Sequence, residues 1–274
     1  MPTVFITGCS TGFGQETARH FLSRGWQVIA TMRHPIPDGL PPSDALRILP
    51  LDVTNPDSIA RAVEEAGPID ALVNNAGIGW LNALEATPMD VVRQIFETNT
   101  FGTIAVTQAV LPQFRERKAG VVVNITSSVT MLPLDLLSVY TASKAAVNAL
   151  TEVLALEMKP FNVRVRLVLP GRAPGTKFGE NAHKMLASRG GFPDAYRAMI
   201  DAVFARFAAA PQVKHQPRIA GATATKARWR HVMLTQESFN DRQKHLFRFP
   251  LLSTRVGKSI GEILSSFPIS YLSI

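Results

Sequence analysis

Short runs of β-branched and other apolar residues alternate along this chain with amphipathic stretches of helical length, and that rhythm constrains the fold more than any other feature of the sequence. Val4-Phe5-Ile6, Trp26 to Thr31, Leu46 to Leu51, Ala71 to Val73, Val121 to Ile125 and Val163 to Leu169 read as six strands. Helices are expected from Gly12 to Arg24, where Gly25 stops the first, and from Asn55-Pro56 to Ala66, where Asn caps and Pro suits the first turn. Others are expected from beyond Pro88 to Arg117, from Val139 to Lys159 and from Pro193 to Ala209. Pro35, Pro37, Pro41 and Pro42 mark a loop, the stretch after Pro170-Gly171 reads as a loop rich in Gly and polar residues, and a short strand is expected near 218–220. Strands that alternate with helices predict an α/β fold with a doubly wound parallel sheet, whose ligands lie beyond the carboxyl ends of the strands where the strand order reverses.

A chain of 274 residues with 46% apolar content suits one sizeable core, so one domain is expected over 1–225, followed by an atypical basic C-terminal extension over 226–274. The formal charge of +8 is concentrated at that end: residues 1–210 hold 19 Lys and Arg against 18 Asp and Glu, and residues 211–274 hold 10 against 3. The tail lacks aromatics interleaved with its basic residues and any recognisable nucleic-acid motif, so it reads as a solvated extension with no nucleic-acid partner. Apolar runs reach only four residues, as at Val153-Leu154-Ala155-Leu156, against the roughly twenty of a membrane span. No basic segment followed by a long apolar stretch opens the chain, and Cys9 is the single cysteine. No internal disulfide and no cysteine-based metal site is available, and a reducing cytoplasm is the expected compartment.

Chemistry is concentrated where strands end. Thr7-Gly8-Cys9-Ser10-Thr11-Gly12-Phe13-Gly14 follows the first strand directly and opens a helix. Glycines there allow a tight turn and close backbone approach, so a pyrophosphate can sit against the free N–H groups at the positive end of the helix. A tight turn alone would also account for the cluster; its place between strand and helix favours the phosphate. At the end of the second strand, where NAD-binding folds commonly carry an acidic residue for the ribose hydroxyls, the chain reads Thr31-Met32-Arg33-His34, and no Asp or Glu occurs from Thr17 to Pro37. Arg33 would pair with a 2′-phosphate that a carboxylate would repel, which favours NADP (NADPH) over NAD. Taken alone, Arg33 is as readily an ordinary surface charge.

Tyr140-Thr141-Ala142-Ser143-Lys144 places a phenol and an ammonium four residues apart on one helix face. A neighbouring ammonium favours tyrosinate and is expected to draw the phenol, ordinarily near pKa 10, toward working pH, making a proton donor and acceptor. An amphipathic helix with a snorkelling lysine gives the same spacing. Ser127 and Ser128 end the fifth strand, at the edge where ligands should lie.

With these residues in view the sequence resembles the classical short-chain dehydrogenase/reductases. The resemblance rests on Thr7-Gly8-x-x-x-Gly12-x-Gly14, Asn74-Asn75-Ala76-Gly77, Asn99, the serine pair, Tyr140-x-x-x-Lys144 and Pro170-Gly171, in the family's order and approximate spacing across residues 3–176. It implies a Rossmann-type sheet and a catalytic set of Asn99, Ser127, Tyr140 and Lys144. Tyr140 would exchange a proton with the substrate oxygen while hydride moves to or from the nicotinamide, Ser127 would polarise that oxygen, Lys144 would bind ribose hydroxyls, and Asn99 would hold a water beside Lys144. Cofactor contacts are implied for Gly8, Ser10, Thr11, Gly12, Phe13, Gly14, Asp52, Asn75, Ala76, Gly77, Pro170, Gly171 and Thr176, with Asp52 toward adenine. Where the family carries Thr four residues after the glycine of its Pro-Gly pair, Arg172-Ala173-Pro174-Gly175 makes Thr176 the fifth. No metal is implied. Val28 to Arg33 looks like the branch acting on hydroxysteroids, retinoids and other apolar alcohols.

The expected activity is therefore hydride transfer between NADP(H) and an apolar carbonyl or alcohol. A cofactor-binding regulator of the same fold without chemistry is the alternative, and a sugar-nucleotide epimerase is disfavoured by the glycine spacing. Helices over 103–117 and 139–159 carry many small apolar residues, and their counterparts in the family pack between subunits, so a homodimer or homotetramer is expected.

Overall fold

The computed structural model of the chain describes residues 1–36, 38–171 and 176–209. The strand expected near 218–220, the extension 226–274 and the segment 172–175 lie outside the described residues. Six strands, β1 (Thr3–Thr7), β2 (Gln27–Met32), β3 (Leu46–Pro50), β4 (Ala71–Asn74), β5 (Gly120–Ile125) and β6 (Val163–Val168), form one parallel sheet in the order β3-β2-β1-β4-β5-β6. The chain works outward from β1 to β3, then returns to the other side of β1 to lay down β4, β5 and β6. The reversal lies between β1 and β4, where Phe5 is in register with Leu72.

Side chains of a strand alternate between its faces, and both faces are covered here, so β1 is buried along its whole length. Phe5, Ile29, Leu72 and Val122 point to a core with α2 (Pro56–Ala66), α4 (Gly102–Arg117) and α5 (Ser138–Met158). Val4, Ile6, Val28 and Val73 point the other way, toward Ala18 and Phe21 of α1 (Gly12–Ser23). Asn55 caps α2 as its type predicts, its side-chain oxygen accepting from the Ser58 N–H at 3.0 Å.

Two expectations are corrected. The helical stretch beyond Pro88 is not one uninterrupted α-helix: α3 (Met89–Phe96) passes through a π-helical turn, Glu97–Phe101, into α4. Tertiary bonds pull on that turn. The Asn99 side chain is tied to Ile78 and Ser143, and Thr100 donates its hydroxyl proton to the Ser143 carbonyl at 3.0 Å. The second correction is a helix, α6 (Phe178–Ala187), inside the stretch read as loop. Phe178, Ala182, Met185 and Leu186 fall at helical spacing, but the pattern covers only ten residues beside Gly- and Pro-rich sequence. The helix expected from Pro193 begins as a single 3-10 turn, Asp194–Tyr196, and continues as α7 (Arg197–Ala209). No helix among the described residues is long and apolar enough to cross a membrane.

Candidate functional site

The carboxyl ends of β1, β4 and β5 open into a cleft of about 1280 Å³ lined by the glycine loop, residues 75–81, the serine pair, Tyr140, Lys144 and α6. Two glycines let its floor form. Gly8 has φ +73°, and a methyl there would stand 2.8 Å from the Ala76 Cα; a methyl on Gly14 would stand 2.2 Å from the Gly8 carbonyl oxygen. β4's exit is fastened to this turn by side chains. The Thr7 hydroxyl oxygen accepts from the N–H groups of Asn75 and Ala76 at 3.0 and 2.9 Å, and the Asn75 amide donates to the carbonyls of Thr7 and Gly8 at 2.9 and 3.1 Å. Asn74, one residue earlier, donates to Thr107 of α4 and to Asn124 of β5, and Asn124 donates to Thr151 of α5, a buried polar ladder that fixes strand against helix.

The start of α1 faces this cleft with its charge uncompensated. Thr11 makes no side-chain cap and the first turn holds no acidic residue, so the positive end of the helix is available to an anion. Ser10, Thr11, Gly12 and Phe13 line the cleft, while Gly14 sits behind them as a packing glycine. Thr176 also arrives here despite its extra residue of spacing: its methyl lies 3.1 Å from where a Cβ on Gly12 would stand. At the far end are Met32, Arg33, Leu51 and Asp52. Burial raises the Asp52 carboxyl, but two hydrogen bonds from Thr54 and the charge of Arg33 outweigh it and hold the group below its ordinary range. Cys9, in the loop itself, is buried and pushed up to about 12 by desolvation, so it stays a thiol.

Across the cleft, α5 presents Tyr140 and Lys144 one turn apart, 8% and 5% exposed. The Ser127 side chain is near enough to the Tyr140 phenol to favour its ionised form, and its hydroxyl oxygen accepts from the Val129 N–H at 3.4 Å. Ser128 lines the cleft too, but its N–H is bonded to the Pro170 carbonyl at 2.9 Å, joining the end of β5 to that of β6. Pro170 and Gly171 complete that wall. The Lys144 ammonium donates to the Ile125 carbonyl at 3.1 Å, and burial brings it down to about 8. Burial likewise pushes the phenol of Tyr140 up, with the Ser127 side chain offsetting only part. The expected lowering of the phenol by Lys144 is therefore corrected: desolvation is the largest influence on the phenol and raises it, and Lys144 is not among the groups that shift it.

Asn99 is fully buried behind these groups. Its side-chain oxygen accepts from the Ile78 N–H at 2.8 Å, and its amide donates to the Ile78 carbonyl and the Ser143 hydroxyl. A Cβ on Gly77 would stand 3.1 Å from that oxygen and 3.2 Å from the Lys144 Nζ, so Asn99 holds the 77–78 backbone directly against the lysine. That contact is what makes the π-helical turn useful to the site.

The family model for short chain dehydrogenase matches residues 2–186. The chain belongs to the short-chain dehydrogenase family. It is 40% identical over 172 residues to 3-ketodihydrosphingosine reductase of Bacteroides thetaiotaomicron, a match covering 61% of this chain and 62% of that relative. The chain spans about three fifths of the length of the curated relatives it matches. Among solved structures it is similar to a short-chain dehydrogenase from Streptomyces avermitilis, with TM-score 0.64 and 28% identity over 90% of this chain and 93% of that one. It is also similar to the closed form of serine dehydrogenase complexed with NADP+, with TM-score 0.62 and 29% identity over 76% and 90%. Short-chain dehydrogenases are oxidoreductases that act on CH–OH and C=O groups with a nicotinamide cofactor.

The residues present fit such a dinucleotide. A glycine cradle, an uncapped helix start and a buried lysine face one cleft, and its volume exceeds the roughly 300–1,000 Å³ typical of a single-ligand pocket. The remaining space is walled by Trp80, Leu134, Leu137, Phe178, Leu186, Phe192, Phe204 and Phe207. For those between Gly171 and Ala210 the sequence signal is low charge and many apolar residues, which hints at an apolar pocket and reads equally as core; Trp80, Leu134 and Leu137 lie outside that stretch.

Proposed function

We propose that this chain is an NADP(H)-dependent oxidoreductase that interconverts a ketone or aldehyde with its alcohol, and that its substrate is apolar. The observation that carries the reading is the meeting of the Ser127 hydroxyl, the Tyr140 phenol and the Lys144 ammonium on one side of a cleft whose other side is the glycine loop. The bound nicotinamide dinucleotide supplies or accepts the hydride. Tyr140, kept protonated by its buried setting, hands its proton to the carbonyl oxygen during reduction, and Ser127 donates a second hydrogen bond to the charge that develops there. Lys144 holds positive charge beside them and offers donors to the ribose, while Asn99 keeps the 77–78 chain in place against it. Gly8 and Gly12 let the backbone approach the pyrophosphate, and Thr176 closes over Gly12. Oxidation of NADPH, followed by absorbance across a panel of ketones, aldehydes, steroids and sugars, tests the reading; no turnover with any of them overturns it.

The preference for NADP(H) rests on Arg33, exposed at the cleft's far end immediately beyond β2, a strand whose end carries no acidic residue, with Asp52 beyond β3 lining the same end of the cleft. One neighbour was solved with NADP+. NADPH is expected to bind more tightly than NADH, and Arg33→Ala to remove about 1–3 kcal/mol of the difference, tenfold or more in affinity. Fluorescence titration with both cofactors checks it, and equal affinities in the unmutated chain would refute the assignment.

The two serines divide the work. Ser127 stands beside the phenol and Ser128 ties its backbone to Pro170. Ser127→Ala is expected to lose about 2–4 kcal/mol of transition-state stabilisation, measured as kcat/KM, because it removes a preorganised donor. Ser128→Ala is expected to be much milder; the reverse ranking in two folded variants would move the carbonyl contact to Ser128.

Assembly follows from the outer face of α5, where Ala142, Ala145, Ala149, Val153 and Leu156 are exposed in a row. Small residues along a helix allow close approach of a second helix, and we place the contact of a homodimer or homotetramer here. Light scattering at micromolar concentration should give at least twice the chain mass, and Ala149→Glu should give the monomer.

A further inference from the structure

α6 reaches the Tyr140 ring through Phe178. Phe178 opens that helix, and its ring stands edge-on to Tyr140, centroids 5.7 Å apart with the planes at 60°. The same ring presses the opposite wall: a methyl on Gly79 would lie 2.7 and 2.8 Å from two of its carbons, although Gly79 has no left-handed backbone that would itself require glycine. Two residues earlier Thr176 meets Gly12 in the same manner. The segment thus crosses the cleft with one contact over the glycine loop and one over the reacting end, each made possible by a missing Cβ. Phe178 is itself 40% exposed, so its outer face meets solvent while its inner face meets the phenol's ring.

We propose that Phe178 is a positioning residue that acts through Tyr140: its ring, seated in the notch left by Gly79, is the cover that keeps water from the phenol. The proposal rests on the reading of Tyr140 as proton donor, and it adds a specific part to that reading. A phenol shielded on this side stays protonated and keeps one orientation toward Ser127; a phenol opened to water ionises more readily and loses its dry setting. The charged and titratable groups that share the cleft are Lys144 on the phenol's own helix, Glu180 and His183 on α6, Glu97 in the π-helical turn, and Arg33 and Asp52 at the far end. Of these Lys144 is the one held in the same buried wall. Admitting water there also relieves the desolvation that brings Lys144 down to about 8, so its ammonium persists to higher pH, which moves the phenol in the same direction.

The test is an ultraviolet titration of phenolate in the full chain without added cofactor, with the contribution of Tyr140 isolated by subtracting Tyr140→Phe from the signal of the three tyrosines. Phe178→Ala is expected to shift the Tyr140 titration to lower pH and to cut kcat about tenfold or more, with KM for a short ketone little changed. The pH profile of kcat should move the same way, and Phe178→Leu, which keeps apolar bulk, should restore both. If Phe178→Ala fails to fold, Gly79→Ala displaces the ring while retaining it, and the same downward shift is expected. An unchanged Tyr140 titration in whichever of these variants folds overturns the proposal, as does a change confined to KM, which would make Phe178 a substrate wall only. The titration requires no substrate, so a chain that turned over no carbonyl would refute the proposed activity while this measurement still judged the cover.

Discussion

Tyr140→Phe should lower kcat/KM by about a thousandfold or more while leaving NADPH affinity and thermal stability close to those of the unmutated chain. The substitution removes one oxygen and little volume from a side chain that is almost wholly buried, and the ring's contact with Phe178 survives it. What is lost is the group that exchanges a proton with the substrate beside the Ser127 side chain. The pH dependence follows from the direction of the phenol's shift. Burial raises it, so the phenol remains protonated through neutral pH, and carbonyl reduction is not limited there by a missing proton. Alcohol oxidation needs the ionised form and should rise with pH across the same range, with both dependences abolished in Tyr140→Phe. Steady-state rates in the two directions from mildly acid to alkaline pH check this. A Tyr140→Phe chain with ordinary turnover, or an oxidation rate that falls as pH rises, would remove Tyr140 from the chemistry.

The parts of this molecule that were legible in the sequence are those where local and long-range requirements coincide. Val4-Phe5-Ile6 reads as a buried strand because both faces of β1 are covered, and the glycine loop reads as a turn because Gly8 occupies a backbone conformation costly for other residues. Tyr140 and Lys144 are paired by helical spacing alone. What sequence could not give was anything set by contacts between distant segments. The π-helical turn at Glu97–Phe101 arises from bonds between Asn99 or Thr100 and residues 78 and 143, and nothing local to 97–101 signals it. The direction of the phenol's shift was misread for the same reason: the Tyr140-Lys144 spacing announces an ammonium nearby, while the wall that desolvates both groups comes from elsewhere in the chain. α6 escaped because its apolar face is short, and with it went Phe178, whose partners Gly79 and Tyr140 lie far away in sequence.

Gly14→Ala should be the most damaging single-methyl change in the cofactor half of the cleft. A Cβ on Gly14 would stand 2.2 Å from the Gly8 carbonyl oxygen, 2.5 Å from the Asn75 amide nitrogen and 2.8 Å from the Gly8 carbonyl carbon. Two of those three atoms are backbone, so no side chain can swing aside to admit the methyl. The third belongs to the amide that ties β4's exit to the carbonyls of Thr7 and Gly8. Relief therefore requires α1 to move away from the turn, which carries the start of the helix and its free N–H groups away from the pyrophosphate position. Overpacking of this kind costs typically about 1–3 kcal/mol and more where backbone is the obstacle. The expected result is a melting temperature lowered by several degrees together with a loss of NADPH affinity of about a hundredfold. Gly25→Ala separates this effect from backbone strain. Gly25 has φ +74° with nothing within 4 Å of its would-be Cβ, so alanine there should cost about 1 kcal/mol of stability and leave cofactor affinity unchanged. Thermal melts with and without NADPH measure both terms, and equal behaviour of the two variants would mean that the packing of α1 against the turn does not shape the site.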